Sequence, residues 1–362
     1  MSDNNDKTRV VYLDYLRMLA MLAVMMMHNV AYNQANVSVS SFEGRVFNGY
    51  LSNVYWGVPV FVMISGALFL GRDIEIGKLY KKYILRLFVA YVFWSFLYYL
   101  LRTETIDVKG QLLKLVSGGK TTYLIEVMDS HYHMWFVPMI IGLYMLLPVI
   151  RQVVLKEKVM NYFLVLSIVF AIVIPQITSG ITEYATEGKE LYRVTQAFSR
   201  KVESLQLRTL SSFVLYFVLG YKMFTTKFEK KIRYLIYSLG IVSFVGVTYL
   251  NYKTGIGAGA ISTKYCDALG IGVFLQATSL FELFKNIGFK KNRSFVVNMT
   301  KWQFGAYLVH ALVIETMIRF DFTTLSFNPL FAIPVTTLVT FAVSYLISAV
   351  INRIPVANKY IV

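Results

Sequence analysis

A series of apolar blocks, each about as long as a bilayer is thick, constrains this chain more than any other feature. A hydrocarbon core of about 30 Å needs roughly 20 apolar residues in a helix. Of the 362 residues, 56% are hydrophobic and 15% are charged, which is too apolar for a soluble domain or a disordered chain. The blocks predict an all-α fold, a polytopic transmembrane helix bundle of about ten spans. The predicted spans cover residues 10–33, 50–71, 81–101, 134–151, 159–178, 208–224, 232–250, 262–284, 297–318 and 328–352.

The distribution of basic residues predicts how the bundle is oriented. The chain has 36 Lys and Arg against 20 Asp and Glu, a net charge of +16, which in a soluble protein would suggest a nucleic-acid partner. Here 20 of the 36 lie in or beside alternate short loops. Because Lys and Arg concentrate in cytoplasmic loops, we expect both termini in the cytoplasm and the polar stretches 102–133 and 179–207 outside the cell membrane. Anionic lipid, and not nucleic acid, is the expected partner of the excess charge.

Other local features indicate one membrane domain without a metal site. The first apolar block continues past 20 residues without a small-residue cleavage site, so we interpret it as a permanent span and not a signal peptide. Cys266 is the only cysteine, and no Cys/His cluster has zinc-ligand spacing. We find no linker or repeat, and we therefore treat residues 1–362 as a single integral-membrane domain. The amphipathic run 107–118 suits either the membrane interface or an ordinary loop.

The first span contains ionisable residues, which are costly in a bilayer and are functional candidates by default. Arg17 and His28 are 11 positions apart, which places them about 20° apart around a helix and about 16 Å apart along it. Asp14 lies near the same face and can pair with Arg17 at the inner mouth. The alternative is structural: an arginine reaching the interface and a histidine that bonds a neighbouring helix.

The third span adds a second basic group. Lys82 and Arg86 share a helix face at spacing i, i+4. Lys82 suits an interfacial anchor, whereas Arg86 lies deep enough to need an anion or a carboxylate partner. Together with Arg17, Arg86 predicts a phosphate-binding site in the inner leaflet.

The remaining polar residues of the spans are weaker candidates. His131 and His133 lie at the predicted outer mouth of the fourth span beside Trp135, a setting typical of the aromatic belt at a membrane interface. Ser65 has no nucleophile-elbow sequence around it, and small residues in spans commonly allow close helix packing. The candidates for acceptor or supporting roles are Asp14, Asn29, His133, His310 and Glu315.

Four segments resemble, in order, the signatures of a known family. They are LDYLRMLAMLAVMMMHN (13–29), GVPVFVMISGALFL (57–70), HMWFVPMIIGLYMLLPVI (133–150) and FGAYLVHALVI (304–314). Together they are similar to the acyltransferase 3 family of membrane-bound O-acyltransferases. The resemblance implies about ten helices, an acyl-CoA donor on the cytoplasmic side and an extracytoplasmic hydroxyl acceptor, usually on a cell-surface glycan or lipid-linked sugar.

The resemblance also assigns roles to individual residues. The family's arginine and histidine in the first span, with ten residues between them, match Arg17 and His28. Its two-arginine motif in the third span is half present: Arg86 matches, whereas Tyr83 stands at the earlier arginine position. Lys82 is the candidate substitute, although a lysine lacks the planar fork of a guanidinium. The resemblance thus implies that Arg17, Arg86 and Lys82 bind the donor.

These observations lead to one mechanistic hypothesis. Arg17 and Arg86 hold the donor phosphates, the donor arm extends outward, and His28 acts as general base at the thioester, with acetyl the expected group. Asn29 or a hydroxyl from another span stabilises the oxyanion. No hydrolase-like domain follows the tenth span, so we expect direct transfer or a separate partner protein.

Two alternatives from other classes stay open. An exporter of polysaccharide or lipid-linked sugar fits the helix count, although no pair of Gly/Pro-interrupted spans marks a transport site. A non-catalytic scaffold would make the alignment of Arg17 with His28 accidental.

Overall fold

The structure, a computed structural model, describes residues 9–101, 131–185, 187–289 and 294–362. Throughout these ranges the regular elements are helices and no strand occurs. The all-α prediction is therefore confirmed for the described chain. The amphipathic run 107–118, most of the predicted outer loop 102–133 and Lys291 lie outside the described residues.

The fold consists of helices joined mostly by short turns. Two of the long helical segments contain a π-helical stretch, at Leu79–Ile84 and at Ile168–Val173. The helices are α1 (Val11–Asn33), α2 (Phe42–Leu51), α3 (Gly57–Phe69), α4 (Ile76–Leu101), α5 (Phe136–Met145), α6 (Leu147–Val154), α7 (Glu157–Ser167), α8 (Ile174–Tyr184), α9 (Glu190–Glu203), α10 (Leu207–Thr225), α11 (Lys230–Ala258), α12 (Ile271–Asn286), α13 (Ser294–Arg319), α14 (Pro329–Ile351) and α15 (Pro355–Tyr360).

Five helical segments of the described chain are long and apolar enough to cross a membrane: α1, α4, α7 with α8, α11 and α14. A sixth results if α5 and α6, which meet at an angle of 61°, form one bent span. The fold is thus compatible with a multi-pass membrane protein, but ten spans are not confirmed. Helices α3 and α10 are apolar but short. Helix α12 has 16 residues, and α13 carries buried Gln303 and His310, which lower its hydropathy.

Helix α1 lies at the centre of the packing. It contacts α2, α3, α12, α13 and α14. Leu13, Leu16 and Ala20 belong to the hydrophobic cluster formed with α3 and α10. Met21 and Met25 belong to a second cluster, formed with α4 and α13. Helix α1 thus contributes residues to both hydrophobic clusters.

Helices α3 and α10 approach each other through two glycines. A Cβ on Gly66 would lie 1.8 Å from the main-chain oxygen of Phe217, and one on Gly220 would lie 2.0 Å from that of Met63. Small residues of this kind let helix backbones approach closely in a membrane. The contact fixes α3, which supplies Phe61 and Ser65 to the cavity described below.

The outer surfaces of the long helices are apolar. Ile241, Val242 and Val245 of α11 are each 66% exposed, as is Leu346 of α14. Contiguous exposed apolar surface of this extent marks an interaction site in a soluble protein. On helices of this length it fits contact with lipid.

Candidate active site

All four histidines of the chain converge in one cluster. His28 comes from α1, His131 and His133 from the turn before α5, and His310 from α13. The ring centroids of His28 and His310 are 5.3 Å apart, those of His310 and His133 4.9 Å, and those of His133 and His131 4.7 Å. The sequence presents these residues as separate candidates, and only the packing of α1 against α13 joins them.

Hydrogen bonds link part of the cluster to a carboxylate. Glu315 Oε1 lies 2.8 Å from His131 Nε2, and the Nδ1 atoms of His131 and His133 are 2.7 Å apart. His310 Nδ1 bonds the main-chain oxygen of Tyr307, whose hydroxyl donates to the main-chain oxygen of His133. Three of the four imidazoles are therefore held by defined partners.

Burial leaves two nitrogens of the cluster without a partner. His133 is 2% exposed and His310 is fully buried, and the Nε2 atom of each has no hydrogen-bond partner in the described structure. Burial, and then the neighbouring His310 and His131, lower the pKa of His133 well below its usual range. Since buried polar atoms are normally satisfied, these two nitrogens are the atoms of the cluster best placed to bind a substrate group or a water.

The exposed mouth of the site is formed by partly exposed side chains of Tyr132, Trp135 and Glu315. The ring of Tyr132 packs on those of His28 and His131 at centroid distances of 4.8 and 4.4 Å. The exposed Trp135 fits the aromatic-belt interpretation. That interpretation is wrong for His133, because its ring is buried among the other imidazoles.

A cavity of about 200 Å³ extends from Arg17 to Tyr307, whose ring packs against His133. Arg17, Met21 and Val24 of α1 line it, and the same helical stripe continues at His28 because residues at these spacings share a face. The guanidinium of Arg17 forms no hydrogen bond or ion pair with any described residue. Most of the remaining lining is apolar: Val58, Phe61, Leu87, Phe136, Ile140 and Phe304.

Two supporting candidates of the first helix are engaged elsewhere. Asp14 forms an ion pair with Arg9, at 2.6 Å, and not with Arg17. Arg9 lies just before α1, and its side chain extends to Asp14 in the first turn of that helix. The amide nitrogen of Asn29 donates to Thr340 Oγ1 and to the main-chain oxygen of Met25. Asn29 therefore connects α1 to α14, and its amide nitrogen is not free to bind an oxyanion.

The two basic candidates of α4 lie outside the cavity. The exposed Arg86 donates to the main-chain oxygens of Asn358, at 3.3 Å, and of Val362. Lys82 is exposed, with its ammonium 5.7 Å from the ring of Tyr83. The periodicity of α4 placed them on one face, but it could not show that Arg86 contacts the C-terminal segment. Their part in donor binding stays a prediction.

The site therefore combines imidazoles that can transfer protons with an adjoining, mostly apolar cavity. The Arg17 guanidinium lies in that cavity without a hydrogen-bond or ion-pair partner among the described residues. Among the described residues no three His, Cys, Asp or Glu side chains are placed to share a metal ion. The sequence did not indicate that His131 bridges Glu315 and His133. The His-x-His spacing ahead of an apolar helix is the one local signal that could have suggested it.

Comparison with known proteins identifies one family. The model of the acyltransferase 3 domain, described as an acyltransferase domain, matches residues 10–349. Neither a curated protein nor a solved structure matches the chain. The matched range covers α1 to α14 almost entirely and includes every histidine of the cluster.

Proposed function

Because the chain belongs to the acyltransferase 3 family, and is thus an acyltransferase, we propose that it moves an acyl group, with acetyl expected, from cytoplasmic acyl-CoA to a hydroxyl of an extracytoplasmic glycan or lipid-linked sugar. The observation that carries this proposal is the stripe of α1 that lines the cavity from Arg17 and continues to His28. It joins a cation at one depth to an imidazole cluster at another.

The donor would enter at Arg17. Its unpaired guanidinium can form charge-assisted hydrogen bonds with a phosphate. The apolar lining between Arg17 and Tyr307 suits an uncharged, flexible donor arm. Since Arg17 and His28 are about 16 Å apart along the helix, a long arm is needed to bring a thioester to the cluster.

His28 would act as the general base. It forms no hydrogen bond with a described residue, so neither ring nitrogen is held by a structural partner among them. The hydroxyl oxygen forms a bond to the thioester carbon, its proton moves to His28, and the carbon–sulfur bond breaks. His28 then returns the proton to the departing thiolate, so the products are the ester and free CoA thiol, and His28 is neutral again. Proton transfer of this kind contributes roughly 10²–10⁴-fold to a rate.

Arg86 and Lys82 are proposed as donor contacts near the cavity entrance. Leu87, next to Arg86, lines the cavity. Arg86 contacts the chain near Val362, so a donor phosphate would compete with that segment for the guanidinium.

A double-labelled donor tests the proposal. Purified protein in liposomes is given acetyl-CoA that carries ¹⁴C in the acetyl group and ³H in the CoA, together with a lipid-linked saccharide. Acyl transfer moves only ¹⁴C to the saccharide, and His28→Gln should abolish that movement. Joint movement of both labels, or saccharide export without acylation, would instead identify a transporter.

A further inference from the structure

Glu315, His131 and His133 form a continuous line from the exposed mouth to the buried histidines. Glu315 has 39% of its side chain exposed, whereas His131 has 10% exposed and His133 is buried. We propose that this line is a proton relay, which keeps the buried imidazoles in exchange with the solution at the mouth. Its use in acyl transfer rests on the proposed function, whereas its geometry does not.

The hydrogen bonds fix the tautomers of the relay. An ionised carboxylate can only accept hydrogen bonds, so His131 Nε2 donates to Glu315. A neutral imidazole has one donor and one acceptor nitrogen, so His131 Nδ1 accepts from His133 Nδ1. His133 Nε2 then keeps its lone pair, and it is the buried atom without a partner.

A proton can cross this line without any further reactant. When His133 Nε2 gains a proton, its Nδ1 proton passes to His131 Nδ1, and the Nε2 proton of His131 passes to Glu315. Each imidazole ends neutral with its tautomer exchanged, and the new carboxylic acid releases its proton to solution. Because both N···N and N···O distances are below 3 Å, each transfer follows an existing hydrogen bond.

His310 lies between the relay and His28. Its Nδ1 faces a main-chain oxygen and must donate, so its Nε2 also presents a lone pair. The ring centroids of His28 and His310 are 5.3 Å apart, and those of His310 and His133 are 4.9 Å apart. No hydrogen bond joins these rings in the described structure, so a proton that moves from His28 to the relay crosses on a bridging group such as a water or the substrate hydroxyl.

Other titratable groups around the relay are phenols. The Tyr98 ring of α4 packs on His131 and His133, Tyr132 on His28 and His131, and Tyr307 of α13 on His133. The Tyr98 hydroxyl donates to the main-chain oxygen of Leu308, at 2.7 Å. Phenols titrate near pH 10, so they stay neutral while the imidazoles exchange protons.

Nitrogen NMR tests the relay directly. With four histidines in the chain, protein labelled with ¹⁵N-histidine in vesicles gives few enough imidazole signals for assignment by single His→Gln variants. We expect His133 and His310 to carry the proton on Nδ1 and His131 on Nε2. The opposite tautomer at either His131 or His133 would overturn the proposal.

Glu315→Gln separates the relay from packing. The amide can still accept from His131 but cannot take up a proton, so the pH at the mouth should no longer set the rate of proton exchange at His133. Glu183→Gln is the matched control, because Glu183 is also partly exposed and ion-paired, with Lys264. Both variants must keep the wild-type size-exclusion profile; if Glu315→Gln does not, Glu315→Asp, which retains the carboxylate, replaces it and should keep the wild-type response.

Vesicles with independently set internal and external pH complete the test. In wild type, the rate of ring-proton exchange at His133 should follow the pH on the side of Glu315, and acyl transfer should fall as that pH is lowered, because the base becomes protonated. Glu315→Gln should weaken both responses to the pH at the mouth. An unchanged response in Glu315→Gln would refute the relay. Normal tautomers and exchange in protein that transfers no acetyl group would refute the proposed function alone.

Discussion

The ring centroids of His28 and His310 are 5.3 Å apart, although His28 belongs to α1 and His310 to α13. The contact depends on the packing of α1 against α13. It places a histidine that hydrogen-bonds no described residue beside one whose Nδ1 bonds the main-chain oxygen of Tyr307. This difference in partners is the basis for separating chemical from structural roles in the cluster.

His28→Gln should leave the fold intact and remove acyl transfer. His28 bonds no described residue, so its loss should change the melting temperature little, whereas loss of a general base should slow transfer by roughly 10²–10⁴-fold. Initial rates with labelled acetyl-CoA and thermal unfolding measure the two effects. Tyr32→Phe, one turn further along α1, is the control. Substantial transfer by stable His28→Gln protein would refute the assignment.

Arg17→Ala should weaken donor binding strongly, and Arg17→Lys should restore part of it. The side chain has no described partner, so removing it should not cost a structural bond, while a charge-assisted phosphate contact is lost. Equilibrium binding of acetyl-CoA to protein in nanodiscs measures the change. Wild-type affinity in Arg17→Ala would show that the cavity does not hold the donor phosphates.

Arg86→Ala should first release the C-terminal segment. Arg86 bonds the main-chain oxygens of Asn358 and Val362, and Trp94 Nε1 donates to that of Ile361 at 3.0 Å. We expect faster proteolysis within residues 355–362. If donor affinity also falls, the guanidinium serves both partners; if only proteolysis changes, its role is to hold this segment.

Gly66→Ala should destabilise the bundle. The new Cβ would overlap the main-chain oxygen of Phe217, and the backbone shift that relieves such overpacking costs about 1–3 kcal/mol or more. Gly142→Ala is the control, since nothing lies within 4 Å of its added Cβ and alanine favours a helix. Thermal unfolding in detergent should separate the two variants, and equal melting temperatures would contradict the close approach of α3 and α10.

Cysteine labelling should establish the orientation. Lys230→Cys is predicted to react only from the cytoplasmic side and Lys189→Cys only from outside, because of the Lys and Arg bias of the loops. The native Cys266 is buried, so its background reaction with an impermeant reagent should be low. Labelling of Lys230→Cys from outside would reverse the assigned sides of donor and acceptor.

Properties set by neighbouring residues could be predicted from the sequence. Apolar blocks predicted helices, and helix geometry put Arg17 and His28 on one face at two depths, because the period of a helix is local. The segments 13–29, 57–70, 133–150 and 304–314 indicated the family, which the match to residues 10–349 confirms. Ten spans are not confirmed, because apolar blocks do not predict helix length, and helices α3 and α12 have only 13 and 16 residues.

Partner choice was decided only by the tertiary structure. Asp14 could reach either Arg9 or Arg17, and the backbone path before α1 selected Arg9. Arg86 met main-chain oxygens near Val362. His131, His133 and His310 entered one cluster with His28 because α1, α13 and the turn before α5 pack together. A helix period fixes the face and depth of each residue, but contacts between distant segments depend on how whole faces fit, which no local pattern contains.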